Sequence, residues 1–227
     1  MAYLERMKSQ KSAAFLVLVV GLLALPSCSR KDGAGPAPGK SRGSIVFLEG
    51  EVTVDGKKAE IGQVLGPRAR IETGPASTCD LVFDGRNAVR VSQNSLALLD
   101  FSRLVKEIDL KKGGVASVLK KLEKLTDRDS FRVTAPTATA GVRGTSFCVW
   151  TDETTSYICA CNGTVSTVDA SGANEEILSS AHHTARLYTR DGGSITKVPA
   201  GLAHHDDASV QAVADRIGYT IDWSKAD

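Results

Sequence analysis

A β-branched run interrupted by one proline and two glycines constrains this chain more than any other feature. In Phe131–Trp150, FRVTAPTATAGVRGTSFCVW, Phe131, Val133 and Ala135 alternate with polar residues, the period of a strand with one face buried. Pro136 has no N–H to give to a ladder, and the glycine of Arg143-Gly144-Thr145 permits a sharp bend before a second β-branched run. The stretch predicts strand, kink, strand. Turn chemistry recurs around it. Asp55-Gly56 follows the alternating Val46-Leu48 and Val52-Val54, and Asp84-Gly85-Arg86 and Asp191-Gly192-Gly193 repeat the pattern. Short strands separated by Gly/Asp turns predict a mainly β fold, a sandwich or short wound β-roll.

The wording V-T-A-P-T-A-x-A-G-V-R-G-T-x-F over Val133–Phe147 resembles the signature of FecR-type domains, the periplasmic family first named for iron-dicitrate sensing. Ile71–Leu99 is similar to the paired strands of that family and Ile108–Leu119 to its next strand, so the resemblance spans Gly43–Val168. It implies a FecR-type β-domain, placed here within residues 44–200. It also implies that Pro136, Val142, Arg143, Gly144, Thr145 and Phe147 belong to the fold signature and carry no assigned chemistry. A guanidinium has five donors, so Arg143 is expected to tie the bend to neighbouring carbonyls.

Residues 1–28 read as an export signal. Arg6, Lys8 and Lys11 form a basic start, Ala13–Leu25 is apolar throughout, and Leu25-Pro26-Ser27-Cys28 closes it with small residues. The apolar run is shorter than the about 18–20 residues of a dedicated membrane span. Leu-x-Ser-Cys resembles a bacterial lipobox, with Pro26 departing from its usual pattern, and makes Cys28 the expected lipidated residue; an ordinary cleaved signal is the alternative. Residues 29–43, rich in Gly, Pro, Ser and basic side chains, read as a flexible tether. The expected protein is exported and lipid-anchored on the periplasmic or outer surface, with the membrane and an envelope protein or small ligand as partners. Classical iron-dicitrate regulators carry an anti-sigma segment before their membrane span. Only residues 1–12 precede the apolar run here, and no such segment is expected. A net charge of +2 without a long basic run gives no support to nucleic-acid binding.

Cys79, Leu81 and Phe83 share a strand face, which predicts a buried core thiol. Val115–Leu125 fits both a strand and an amphipathic helix; the family favours strand to Leu119. In residues 201–227, Val210, Val213, Ala214 and Ile217 follow helical spacing, with Asp206 or Asp207 as N-cap and Gly218 just past the end. One short helix is expected there.

The chemistry-bearing residues crowd behind the signature. Cys148, Cys159 and Cys161 lie close in sequence, and the four histidines form two doublets, His182-His183 and His204-His205, the second followed by Asp206-Asp207. If Phe147–Trp150 and Tyr157–Cys161 pair around Asp152–Thr155, Cys148 faces Cys159 and all three thiols share one face. Three readings stay open. One is a Cys148–Cys159 disulfide with core thiols. Another is a zinc, iron or haem site completed by His182, His183, His204 or His205. The third is a thiol-disulfide component built on Cys159-Ala160-Cys161. Cys-x-Cys is not the Cys-x-x-Cys of zinc knuckles, and Cys-x-x-Cys-His of covalent haem is absent from the sequence. P-loop, Gly-x-Ser-x-Gly and His-Glu-x-x-His motifs are also absent, so a binding protein is expected rather than an enzyme.

Overall fold

A computed structural model describes residues 42–120 and 131–226, except for the side chain of Arg143. In chain order the elements are β1 (Gly43–Glu49), β2 (Val52–Val54), β3 (Lys57–Lys58), β4 (Arg68–Thr73), β5 (Thr78–Phe83), β6 (Asn87–Val91) and β7 (Leu96–Asp100). There follow β8 (Lys106–Leu119), β9 (Phe131–Thr134), β10 (Ala138–Thr151), β11 (Thr155–Asp169), β12 (Glu176–Ser180), β13 (Thr184–Asp191), β14 (Ser194–Ala200) and the helix α1 (Asp207–Asp215). The fold is mainly β with one short C-terminal helix, as the turn and strand pattern predicts.

The three Asp-Gly sites are hairpin turns. Asp55 and Gly56 at φ 51° and 75° join β2 to β3, Asp84 and Gly85 at 52° and 64° join β5 to β6, and Gly192 at 56° lies between β13 and β14. The β2–β3 and β13–β14 turns have two residues and the β5–β6 turn three, and the positive φ in each matches the twist of the strands it joins. The long strands β8, β10 and β11 carry the rest. β10 pairs with β11 along its length, with β9 at its start and with β8 at its end, while β9 lies parallel to β8. β9 is thus a wedge between β8 and β10 at one end only, and the sheet curves around the side chains it encloses.

That interior is aliphatic with an aromatic spine. Phe83 lies 4.8 Å from Phe101 and 5.7 Å from Phe131, and Phe131 lies 6.2 Å from Phe147 edge-on. All four rings are buried, each contributing about 1.5–3 kcal/mol of apolar burial. Cys79 sits in the same core, its thiol pushed up to about 12 by burial and then by the neighbouring Asp80 charge.

The kink expected at Arg143-Gly144-Thr145 is a bulge inside one continuous strand. β10 runs through it with a register shift between Val142 and Thr145, Gly144 adopts φ +138°, and Gly163 on β11 adopts φ +111°. The Thr145 hydroxyl bridges the irregularity, donating to the Thr164 carbonyl at 2.8 Å and accepting the Thr164 N–H at 3.2 Å. Shared hydrogen bonds with β11 hold the strand together where the glycine alone would end it. Pro136 supplies the break, in the turn where Ala135 N–H reaches the Ala138 carbonyl. The expected Arg143 contacts, and the helix-or-loop question beyond Lys120, lie outside what is described.

Period-two alternation sends Phe147, Val149, Ile158 and Ala160 inward and Cys148, Tyr157, Cys159 and Cys161 to the opposite face. There they meet Val210, Val213 and Ala214 of α1 and Ile221 beyond it. The small Ala88 and Ala116 on the sheet let the helix approach. Asp206 caps α1 in a reciprocal box with Ser209, and Gly218 at φ +61° follows its end.

Candidate metal centre

The second face gathers the thiols and two of the four histidines. β10 and β11 pair Cys148 with Cys159, the register expected from sequence. The next shift in register, between Ser146 and Phe147, leaves Cys161 without a partner on β10 and brings its sulfur to 3.7 Å from that of Cys148. All four described cysteines are free thiols. His183 follows β12, in a turn with φ 53°, and donates its backbone N–H to the Cys161 carbonyl at 3.0 Å. His205 lies just before α1. Left-handed backbone at a non-glycine residue costs on the order of 1–2 kcal/mol and marks a position that the surroundings hold in place.

Four ligand atoms converge: Sγ of Cys159 and Cys161, Nδ1 of His183 and Nε2 of His205 all lie within 4.8 Å of one another. Cys159 Sγ is 3.5 Å from His183 Nδ1, Cys161 Sγ is 3.3 Å from His205 Nε2, and the two nitrogens are 3.3 Å apart. The outer ring nitrogens fix the tautomers. His205 Nδ1 is 2.8 Å from the Ala203 carbonyl, which can only accept, and His183 Nε2 is 2.7 Å from the Asp207 carboxylate. Both outer nitrogens therefore carry protons, and the inner nitrogens, His183 Nδ1 and His205 Nε2, face the sulfurs and each other.

Electrostatics in the cluster follow from burial and contact. Hydrogen bonding to Cys161 holds the Cys159 thiol down to about 4 against burial, with His205 and His183 assisting. Burial raises Cys148, but hydrogen bonds from Cys161 and His205 outweigh it and bring that thiol to about 6. Cys161 is pushed well up by burial and by its two sulfur neighbours. Burial lowers His205, but Cys148 and Cys159 lift it to about 10. The pocket favours positive charge placed among sulfurs.

Of the seven candidate ligands, Cys159, Cys161, His183 and His205 form this set. Cys148 is adjacent to it. His182 has a side chain 53% exposed and bonds the Asp207 carboxylate at 2.9 Å, and His204 stacks on Trp150 at 4.2 Å. Sequence reasoning read Asp207 only as a capping alternative. The cap is Asp206, and Asp207 instead orients His183 and His182. The signal was present in the His-His-Asp-Asp run, whose last member sits in the first turn of a helix. Trp223, whose ring stacks 5.2 Å from His183, carried no signal of its own.

Residues 69–166 match the family model described as FecR protein. No curated protein matches the chain. Two crystal structures of a candidate anti-sigma factor from Parabacteroides distasonis are similar at 14% identity, one with TM-score 0.47 over 58% of this chain and 60% of that one, the other with TM-score 0.46 over 57% and 59%. The chain thus spans less than two thirds of either. The family match begins in β4 and ends within β11, so it contains Cys148, Cys159 and Cys161 and stops short of His183 and His205. Residues 69–166 make this chain the bearer of a FecR-type domain.

Proposed function

We propose that this protein is an exported FecR-type binding or sensing module of the bacterial envelope, anchored by lipid on Cys28 and working through an envelope partner or small ligand rather than by catalysis. The observation that carries the reading is the family match over residues 69–166, set behind a basic start, an apolar run and a small-residue stretch ending in cysteine. An anchor and a tether place such a domain within reach of envelope partners. Among the described residues no helix is long and apolar enough to cross a membrane. Cys28→Ala should move the full chain from the detergent phase to the aqueous phase and abolish labelling with a radioactive fatty acid, because acyl chains make such attachment stable. Unchanged partitioning of that variant refutes the anchor.

A second reading, that the protein holds a metal, is favoured by the four ligand atoms within 4.8 Å of one another. Their closeness suits a single ion. The neighbouring cavity, lined by Cys148, Trp150, Tyr157, His204 and His205, measures about 170 Å³, below the about 300 Å³ at which pockets for organic ligands begin, and does not suit haem.

A further inference from the structure

We infer that Cys159, Cys161, His183 and His205 bind one zinc ion as a closed four-ligand centre, and that this ion clasps the C-terminal segment, residues 201–226, onto the outer face of the FecR-type sheet. The inference rests on the metal-holding reading and adds to it the ligands, the metal and the role.

Geometry selects the ion. Zinc takes sulfur at about 2.3 Å and imidazole nitrogen at about 2.0–2.1 Å in a tetrahedron, whose edges are then about 3.5 Å from sulfur to nitrogen and about 3.3 Å from nitrogen to nitrogen. Two of the four sulfur–nitrogen edges are 3.5 Å and 3.3 Å, the nitrogen pair is 3.3 Å apart, and the remaining edges lie within 4.8 Å. In the metal-free protein a proton must lie between the two inner nitrogens, and a bound cation takes its place. Each ring is also held by an outer partner, the Asp207 carboxylate or the Ala203 carbonyl, the arrangement that orients histidine ligands around a metal. In the bound state both sulfurs are thiolates and both rings are neutral, so the divalent charge is cancelled and a neutral centre is buried. Four protein ligands fill a tetrahedron and leave no coordination position for substrate; Cys159 and Cys161 are wholly buried, the His183 side chain is 8% exposed, and His205 is half-buried beside the cavity. Mixed thiolate and imidazole ligands in a closed site are the structural zinc pattern.

The role follows from where the ligands stand in the chain. Both cysteines belong to β11, within the family match; His183 lies beyond it in the turn before β13, and His205 belongs to the segment leading into α1. A bond from β11 to His205 joins residues 44 apart in sequence. The apolar contact that α1 itself makes is small, being Val210, Val213 and Ala214 against alanine, valine and the thiols. Other ties to the segment are the buried Ile221, the Arg216–Asp80 ion pair at 2.8 Å, and hydrogen bonds from Tyr157 Oη to the Gly201 carbonyl at 3.1 Å and from Asn162 Nδ2 to the Asp222 carbonyl at 3.0 Å. Without the ion, the thiols and imidazoles hold the entering segment only through the hydrogen-bond contacts of Cys159 with His183 and of Cys161 with His205.

The test uses the full-length chain and zinc alone. After dialysis, elemental analysis should find about one zinc per chain in the native protein and in His182→Ala, His204→Ala and Cys148→Ser, and about a tenfold lower content in Cys159→Ser and His205→Ala. Amide exchange should then quicken by about tenfold or more in residues 201–226 when a zinc chelator is added, with β4–β7 unchanged. If Cys159→Ser does not fold, His205→Ala carries the ligand test. Absence of zinc, with two thiols missing from the count until reductant is added, overturns both the metal reading and the clasp in favour of a disulfide. Stoichiometric zinc lost in the two ligand variants, with exchange in 201–226 unmoved by chelator, overturns the clasp and leaves the metal reading standing. Zinc lost in His204→Ala or Cys148→Ser instead overturns the ligand assignment.

Discussion

Replacing Asp80 by alanine is expected to be the most damaging single polar change in the described structure. Asp80 lies on β5 with its side chain fully buried, and its carboxylate accepts three charge-assisted hydrogen bonds: from Arg90 Nε at 2.7 Å, Arg90 Nη2 at 2.8 Å and Arg216 Nε at 2.8 Å. Arg90 belongs to β6, and Arg216 is the C-cap of α1, stacked 4.2 Å over the Phe47 ring. A bond to a charged partner contributes about 1.5–3 kcal/mol, but the three share one carboxylate and do not add. Removing it strands two guanidiniums that differ in access to water: the Arg90 side chain is 17% exposed and that of Arg216 is 30% exposed. Arg216 can swing to solvent and Arg90 cannot, so the loss should fall near the lower end of the about 3–5 kcal/mol found when one member of a buried pair is removed. Urea unfolding of the native chain and Asp80→Ala measures it, and Arg216→Ala should cost less than half as much. A loss below about 1 kcal/mol, or an Arg216→Ala penalty equal to that of Asp80→Ala, would refute the claim that burial of the carboxylate sets the cost.

Two further changes test the bulge and a surface turn. At Gly163, φ +111° and an added Cβ only 3.2 Å from the Thr145 Cα predict that Gly163→Ala destabilises the domain by about 1–3 kcal/mol, and Gly144→Val at φ +138° should do the same; native stability in both, read by thermal unfolding, would remove the bulge from the scaffold. Asp169, held down to about 2 chiefly by the Ser171 hydroxyl and then by Asn174, contributes stability that is complete above the ordinary carboxyl value and is lost as pH falls toward 2. Asp169→Asn should therefore cost about 1 kcal/mol at pH 7, discounted for solvent screening, and only a small fraction of that at pH 2; a pH-independent difference between the two unfolding curves would exclude the carboxylate as its source.

Local rules made the β character, the Asp-Gly hairpins and the capped C-terminal helix legible before any coordinates, because φ preference, period and capping act within a few residues. The same period placed Cys148 opposite Cys159 and both on the face with Cys161, since a tight hairpin fixes register by itself. Arg143-Gly144-Thr145 shows where local reading stops. Glycine permits a break, and only the neighbouring β11 with Gly163 and Thr164 turned that permission into a bulge. The histidines show it more sharply: either member of each doublet had the chemistry of a ligand, yet His183 and His205 face the thiols while His182 and His204 face Asp207 and Trp150. Which ring of a doublet points inward depends on backbone turns set by pairing between strands distant in sequence, and on a helix docked across a sheet. The sequence alone determined that thiols and imidazoles were available and which thiols shared a face. The tertiary structure alone decided which of them meet, because convergence across 22 and 44 residues is a property of packing and is encoded in no local period.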